Sequence, residues 1–471
     1  EKQGFNPYLP SWEYIPDGEP YVFDNRVYVF GSHDRFNGYA YCLNDYVCWS
    51  APVDDLSNWR YEGVIYKATD VENNEDRDSC LYAPDVAVGP DGRYYLYYVD
   101  SKRSVVSVAV CDTPAGKYEF YGYVQYPDGV RLGEREGDEP QFDPAVLVEG
   151  DKVYLYTGFC AIGDKSRSGA MVTVLSSADM LTIIEDTVII APSEPYSKGS
   201  GFEGHEFFEA PSIRKRGDTY YFIYSSILMH ELCYATSKHP TKGFEYRGII
   251  VSNCDIGIST YKPPSKPMYY GGNNHGSIVE INGKWYIFYH RHTNGTNFSR
   301  QGCLEEITFT EDGSIPQVEM TSCGPNGGPL KGLGEYPAYI ACNLFCSEES
   351  VYTDFTGAWM NNQFPKITQD GKDGDEEIGY IANMKASATA GFKYFDCKGV
   401  KRVKIKVRGY CKGDFEVKTS WNGPALGKIS VVFSNVWKEY AADIMIPDGV
   451  HALYLTYTGE GSASLSSFTL E

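Results

Sequence analysis

Five polar residues stand in the same place ahead of five look-alike segments of the chain. Asp17, Asp85, Asp143, Glu209 and His275 precede Tyr28, Tyr95, Tyr154, Tyr221 and Tyr286 by 11, 10, 11, 12 and 11 residues. A single Asp ahead of a strand is ordinarily a turn or cap residue, but five polar residues in one register argue for a common setting. If they converge, three Asp, one Glu and one His share a cavity. Carboxylates crowded there raise one another's pKa, and a concave, partly desolvated wall adds to the shift. One carboxyl then stays protonated near neutral pH while another ionises, which is what cleavage of a glycosidic bond requires. One group protonates the departing oxygen and the other deprotonates water on the opposite face, each contributing on the order of 10² to 10⁴ in rate. Residues facing each other across a central funnel are spaced for an intervening water, about 6.5 to 9.5 Å, rather than the roughly 5 Å of a covalent nucleophile. Inversion of configuration is the expectation.

Other chemistry-bearing features carry less. His290 and His292 are spaced to share a strand face but have no further ligands in sequence, so they read as structural. Asn294-Gly295-Thr296 and Asn297-Phe298-Ser299 match the glycosylation pattern, a weak signal by itself. There is no Walker loop, strand-GxGxxG-helix unit or HExxH stretch, so nucleotide and zinc-protease chemistry lack support.

The elements that must position these residues recur at about 60 to 68 residues. Tyr21–Phe30, Val86–Tyr97, Ala145–Tyr156, Ser212–Tyr224 and Ser277–Tyr289 each read as a strand, a polar turn and an aromatic strand. Asp91-Gly92 and Asn282-Gly283 are pairs favoured in two-residue hairpin turns, where both residues must tolerate positive φ. The period leaves room for two more strands per repeat, and helical periodicity is absent. The fold class predicted is all-β: a five-bladed β-propeller over residues 1–324, with four-stranded blades around an axis. A Gly/Pro-rich linker follows at 325–336. Residues 337–471 alternate in period two, as in Val403–Arg408, Phe415–Thr419 and Ala452–Tyr457, and read as a β-sandwich of jelly-roll type.

Composition sets the partner class. The 471 residues carry 42 Lys+Arg against 63 Asp+Glu, a net charge of −21, which disfavours nucleic acid, anionic lipid and polyanionic substrates and suits a small neutral oligosaccharide. No apolar run is long enough to span a membrane. Thirteen cysteines, an odd number without a CxxC pair, read as reduced thiols in a cytoplasmic protein. The start has no apolar signal core, although the lack of an initiating Met is compatible with a removed leader.

At these residues the sequence resembles glycoside hydrolase family 43, five-bladed propellers that include inverting α-L-arabinofuranosidases, β-xylosidases and arabinanases. The resemblance covers most of residues 4–322. It places the general base at Asp17, within Ile15-Pro16-Asp17-Gly18-Glu19-Pro20, where Gly18 stands in place of the commoner Pro. Ala83-Pro84-Asp85-Val86 matches the second-blade signature and implies that Asp85 binds substrate. Phe142-Asp143-Pro144 matches the segment whose Asp tunes and orients the acid, and Phe208-Glu209-Ala210-Pro211 matches the general-acid segment. Asn274-His275-Gly276-Ser277 implies that His275 lies beneath the substrate and approaches a central calcium; a hard cation prefers oxygen, so water is expected between them. Arg300 resembles the arginine lining the same pocket. No organic cofactor is implied.

The C-terminal part is similar to carbohydrate-binding module family 6, through Ile378–Ile381, Ala390–Phe395, Trp437–Tyr440, Gly449–Leu453 and Ser467–Leu470. Trp437 or Tyr394 could stack on a sugar, but Ser464 stands where the family carries a binding Asn, so a pocket-closing role rivals independent binding. The combined expectation is an exo-acting inverting glycosidase that releases α-L-arabinofuranosyl residues from arabinoxylan-type oligosaccharides, with the inserts 70–79 and 192–204 walling the funnel into a pocket. A β-xylosidase, a retaining glycosidase and a non-catalytic sugar-binding propeller are the alternatives.

Overall fold

Each look-alike segment forms an antiparallel hairpin, because its alternating apolar residues can face neighbouring blades while a short polar turn joins the strands. Asn282 and Gly283 make the two-residue turn between Ile281 and Lys284, with φ of 51° and 81°. Asp91-Gly92 does not. It lies in a five-residue loop closed by the bond from Gly89 N to Arg93 O, with Asp91 Oδ1 accepting the Arg93 N–H at 3.0 Å. The computed structural model describes residues 2–258, 266–346 and 364–471.

Two further strands complete each of the first four hairpins, giving four four-stranded sheets in simple sequential order. Their inner strands are Glu19–Phe23, Asp85–Val88, Ala145–Glu149 and Phe207–Arg216, and a fifth sheet begins with Ser277–Ile281. The inner strands neighbour one another around an axis, and Tyr21 Oη donates to Asp85 Oδ1 at 2.6 Å between the first and second. Apolar layers fill the gaps between blades. Leu155 and Val153, for example, pack with Tyr97 and Val108 between the second and third.

Among the described residues the fifth sheet has three strands, against the four expected. Its outer strand, Arg300–Ile307, is covered by the N-terminal segment: Tyr8 N donates to Gly302 O at 3.1 Å, while the Asn6 side chain bonds Leu304 N at 2.9 Å and Leu304 O at 2.8 Å. This closes the ring and masks an edge that would otherwise be open to pairing.

The C-terminal region is a β-sandwich, its two sheets six-stranded among the described residues, around Phe392, Phe395, Phe468 and Tyr336. Part of the stretch read as a linker is built into it. Leu330–Lys331 pairs with Ala388–Cys397, and Gly334–Pro337 pairs with Ala463–Leu470. Gly332 between them is required by close approach, since a Cβ there would meet Asp396 O at 2.4 Å.

Propeller and sandwich share one apolar core and buried polar ties, among them those of Lys393 and Arg291. Lys393 Nζ sits 2.9 Å from Asp255 Oδ2, both side chains fully buried. Arg291 donates to the carbonyls of Tyr339 and Ala341.

Candidate active site

Register explains which of the five polar residues meet. Glu19, Asp85, Ala145 and Ser277 pair opposite Phe30, Tyr97, Tyr156 and Phe288, so they occupy one tier. Asp17, Ala83, Asp143 and His275 lie two residues earlier, just ahead of the strands, and form the next tier outward, where all four line one cavity. Glu209 joins that outer tier through a register shift at the start of its strand. The outer tier lines a cavity of about 300 Å³, whose wall includes Asp17, Ala83, Asp143, Glu209, His275 and Arg300.

Asp85 is a correction. Its count to Tyr95 resembled the others only because the longer 89–93 loop absorbed residues, and it belongs to the inner tier. There Oδ1 takes the Tyr21 hydroxyl and the Val86 N–H, and Oδ2 takes the Val146 N–H at 2.7 Å. It does not line the cavity; its carboxylate ties the first three blades together.

The cavity's charges are arranged in opposition. Asp17 is in the left-handed region, φ 60°, and accepts from Ser32 Oγ. Arg300 Nη1 and His275 Nδ1 each lie 3.4 Å from its Oδ1. Burial alone would raise its pKa, but Arg300 and His275 outweigh that and hold the carboxyl well below the usual range. Arg300 is itself fixed by a two-point fork on Asp34, at 2.8 and 3.0 Å, a geometry suited to guanidinium and carboxylate.

Glu209 is pushed the other way. Burial raises its pKa first, and the nearby Asp143 and Asp17 add to the rise. Asp143 is likewise raised by burial and by Asp17, against the pull of His275. Asp143 Oδ2 accepts the N–H of Ala210 at 3.2 Å, which ties it to the backbone beside Glu209. One carboxylate is therefore poised to take a proton and another carboxyl to give one.

Three sets of residues contribute contacts that the sequence reading did not give. His290 is buried and neutral, its pKa lowered to about 3 by burial; its Nδ1 accepts the Asp17 N–H at 3.2 Å, and Nε2 lies 2.8 Å from Asn273 O. The spacing gave a structural histidine but not this partner. Asp34, Tyr41 and Cys42 come from the connection between two strands of the first blade, outside any repeat. Phe142, Phe159 and Phe208 form an aromatic chain at the cavity with centroids 5.5 and 5.2 Å apart, and Phe142 and Phe208 were visible only as neighbours of acidic residues. The inserts 70–79 and 192–204 do not line the cavity, so the walls differ from the expectation.

A cation could be held beneath the outer tier. Glu19 Oε1 is buried without a hydrogen-bond partner and lies 3.8 Å from His275 Nε2. Glu19 Oε2 is engaged by Ser212 and Arg214, each at 3.0 Å. One open carboxylate oxygen and one imidazole fit a calcium ion that keeps most of its ligands as water. Among the described residues, the only tight grouping of three ligand-type side chains is His205, Glu231 and Cys233. There, Glu231 Oε1 accepts from both His205 Nδ1 at 2.5 Å and Cys233 Sγ at 3.3 Å, so the three satisfy one another.

In the sandwich, Trp437 has a guanidinium over one face, Arg408 Cζ lying 4.4 Å from its ring centroid.

Comparison with known proteins agrees with this architecture. Residues 16–315 match the family described as glycosyl hydrolases family 43. A xylosidase/arabinosidase of Thermoclostridium stercorarium is 80% identical over 469 residues, spanning 100% of this chain and 99% of the relative. A solved arabinoxylan arabinofuranohydrolase from Bacillus subtilis shares the fold over 99% of this chain and 97% of its own, with a TM-score of 0.54 at 21% identity. A β-xylosidase/α-arabinofuranosidase from a compost microbial metagenome, solved with xylotriose in a calcium-free form, aligns with 68% of this chain and 98% of its own, with a TM-score of 0.53 at 27% identity. The chain belongs to glycosyl hydrolase family 43.

Proposed function

We propose that this hydrolase removes single α-L-arabinofuranosyl residues from arabinoxylan-type oligosaccharides, with inversion. The observation that carries the reading is the pairing of Asp17 and Glu209 in one small cavity with carboxyl pKa values driven in opposite directions. Asp17 takes a proton from water as its oxygen attacks the anomeric carbon. The bond to the leaving oxygen breaks as Glu209 delivers its proton there. Asp143 keeps Glu209 protonated by its charge and holds the adjoining backbone. Asp17 and Glu209 come from the first and fourth blades, with His275 of the fifth between, an arrangement suited to a water on the face opposite the acid. A cavity of about 300 Å³ is at the small end of ligand sites, which favours a terminal sugar over the middle of a chain.

The order of arabinofuranose over xylose rests on the propeller-plus-sandwich layout and is supported by the likeness, over 97% of this chain, to an arabinoxylan arabinofuranohydrolase of Paenibacillus polymyxa; the names of other relatives carry both activities. The reading with β-xylosyl substrates is therefore retained as the second. Rates on an aryl α-L-arabinofuranoside and an aryl β-D-xyloside decide between them: a higher kcat/KM on the former is expected, and the reverse order makes this a β-xylosidase.

Calcium belongs to the proposal as an ion that Glu19 Oε1 would hold directly and His275 through water, where its charge would offset the acidic inner tier. Adding calcium to chelator-treated protein should raise Tm, and an unchanged Tm removes the ion from the account. A reducing, cytoplasmic setting is supported by the thirteen cysteines, all free thiols.

A further inference from the structure

The connection between the second and third strands of the first blade, residues 31–45, carries much of the active site. Ser32 bonds Asp17, Asp34 forks Arg300 and accepts the Cys42 N–H at 3.0 Å, and Tyr41 and Cys42 form wall. This segment is gripped from outside the propeller. Asp373, on a sandwich loop, accepts the Phe36 N–H at 2.8 Å on Oδ1 and the Asn44 side-chain amide at 3.0 Å on Oδ2. Each carboxylate oxygen thus holds a different point of the connection. Asn44 passes the constraint on: its N–H bonds His33 O at 3.0 Å, and its Oδ1 accepts from Arg35 Nε at 2.9 Å.

Two parallel ties run from the same stretch of the sandwich. Tyr14 Oη donates to Gln369 Oε1 at 2.5 Å, and Tyr14 O in turn accepts the Asp34 N–H at 3.0 Å. Asn294 N donates to Ile367 O at 2.7 Å and Thr368 Oγ1 to Asn294 Oδ1 at 2.8 Å, while Asn294 Nδ2 reaches Asn37 Oδ1 at 2.7 Å. All three end on the connection or the residue pairing with Asp34.

We infer that the sandwich takes part in the reaction as a clamp, with Asp373 a positioning residue that acts on Asp17 and Arg300 through residues 32–44. The physical reason is that a long connection holds catalytic geometry only if its far side is anchored, and small misplacements at a reacting centre cost rate steeply. The inference rests on the roles given above to Asp17 and Arg300, but its structural half does not depend on them.

The test compares Asp373→Ala, Asp373→Asn and Asp370→Ala in the full chain. Asp370 is the control: it pairs with Arg408 and Tyr380 inside the sandwich and does not touch the connection. Asp373→Ala is expected to lower kcat/KM about tenfold or more, chiefly through kcat, because Arg300 and Asp17 are less firmly held in place. Its amides in residues 32–44 should exchange hydrogen faster. Asp373→Asn, which keeps one acceptor, should fall between, and Asp370→Ala should match the parent in kinetics and exchange. Unchanged exchange over 32–44 in Asp373→Ala, wild-type kinetics in that variant, or an equal defect in Asp370→Ala overturns the clamp. A parent protein inactive on both aryl glycosides would instead remove the functional reading, with the exchange measurement still deciding the clamp.

Discussion

Asp143 accepts the backbone N–H of Ala210 at 3.2 Å, so a carboxylate of the third blade is fastened beside Glu209 of the fourth. Ala210 has φ 64°, the left-handed conformation, at the point where the strand register shifts around Glu209. The same carboxylate that fixes this turn also loads Glu209 with negative charge, coupling placement to protonation.

Asp143→Asn tests that coupling. The amide keeps an acceptor for Ala210 but removes a charge, so the Glu209 pKa should fall. The protonated acid exists below its pKa and is lost as pH rises through it. The alkaline limb of kcat/KM should therefore move to lower pH, with activity at neutral pH down by about 10². A pH–rate profile checks this.

Glu209→Gln should cost at least about 10² in kcat on natural glycosides. Activated aryl glycosides, whose leaving groups need no proton, should retain much of their rate. Steady-state kinetics on a series of leaving groups of rising pKa measures the contrast.

Arg300→Lys keeps a charge but cannot fork on Asp34. Asp17 is ionised above its lowered pKa and is lost as base when pH falls through it. Weakening the guanidinium contact raises that pKa, so the acidic limb should shift upward, with kcat/KM reduced by about one to two orders of magnitude.

Lys393→Ala should destabilise the chain by about 3–5 kcal/mol, because it strands the buried Asp255 carboxylate. A lowered midpoint in urea unfolding is the expected reading, and an unchanged midpoint would show that the tie between propeller and sandwich carries little.

The legible parts of this protein were those governed by local pattern. The hairpins declared themselves by alternation, and Asp17, Asp143, Glu209 and His275 could be aligned because the turns in their hairpins are of equal length: two residues each at 24–25, 150–151, 217–218 and 282–283. Asp85 was misplaced where that condition failed, at the five-residue loop 89–93. Asp34, Tyr41 and Cys42 could not be found, since they lie on a connection with no counterpart in other blades. Asp373 was equally hidden: its contact with Phe36 joins residues 337 positions apart, and no local rule reaches that far. Part of the expected linker, Leu330–Lys331 and Gly334–Tyr336, joins the sandwich sheets for a related reason, because Gly and Pro mark a turn without telling whether the residues beside them join a sheet.

The most direct measurement is proton NMR of the sugar first released from an aryl α-L-arabinofuranoside, before mutarotation. The account, with Asp17 activating water opposite Glu209, predicts β-L-arabinofuranose as the initial anomer. First appearance of the α anomer would contradict it, since retention requires a covalent intermediate that this assignment of the two carboxyl groups does not contain.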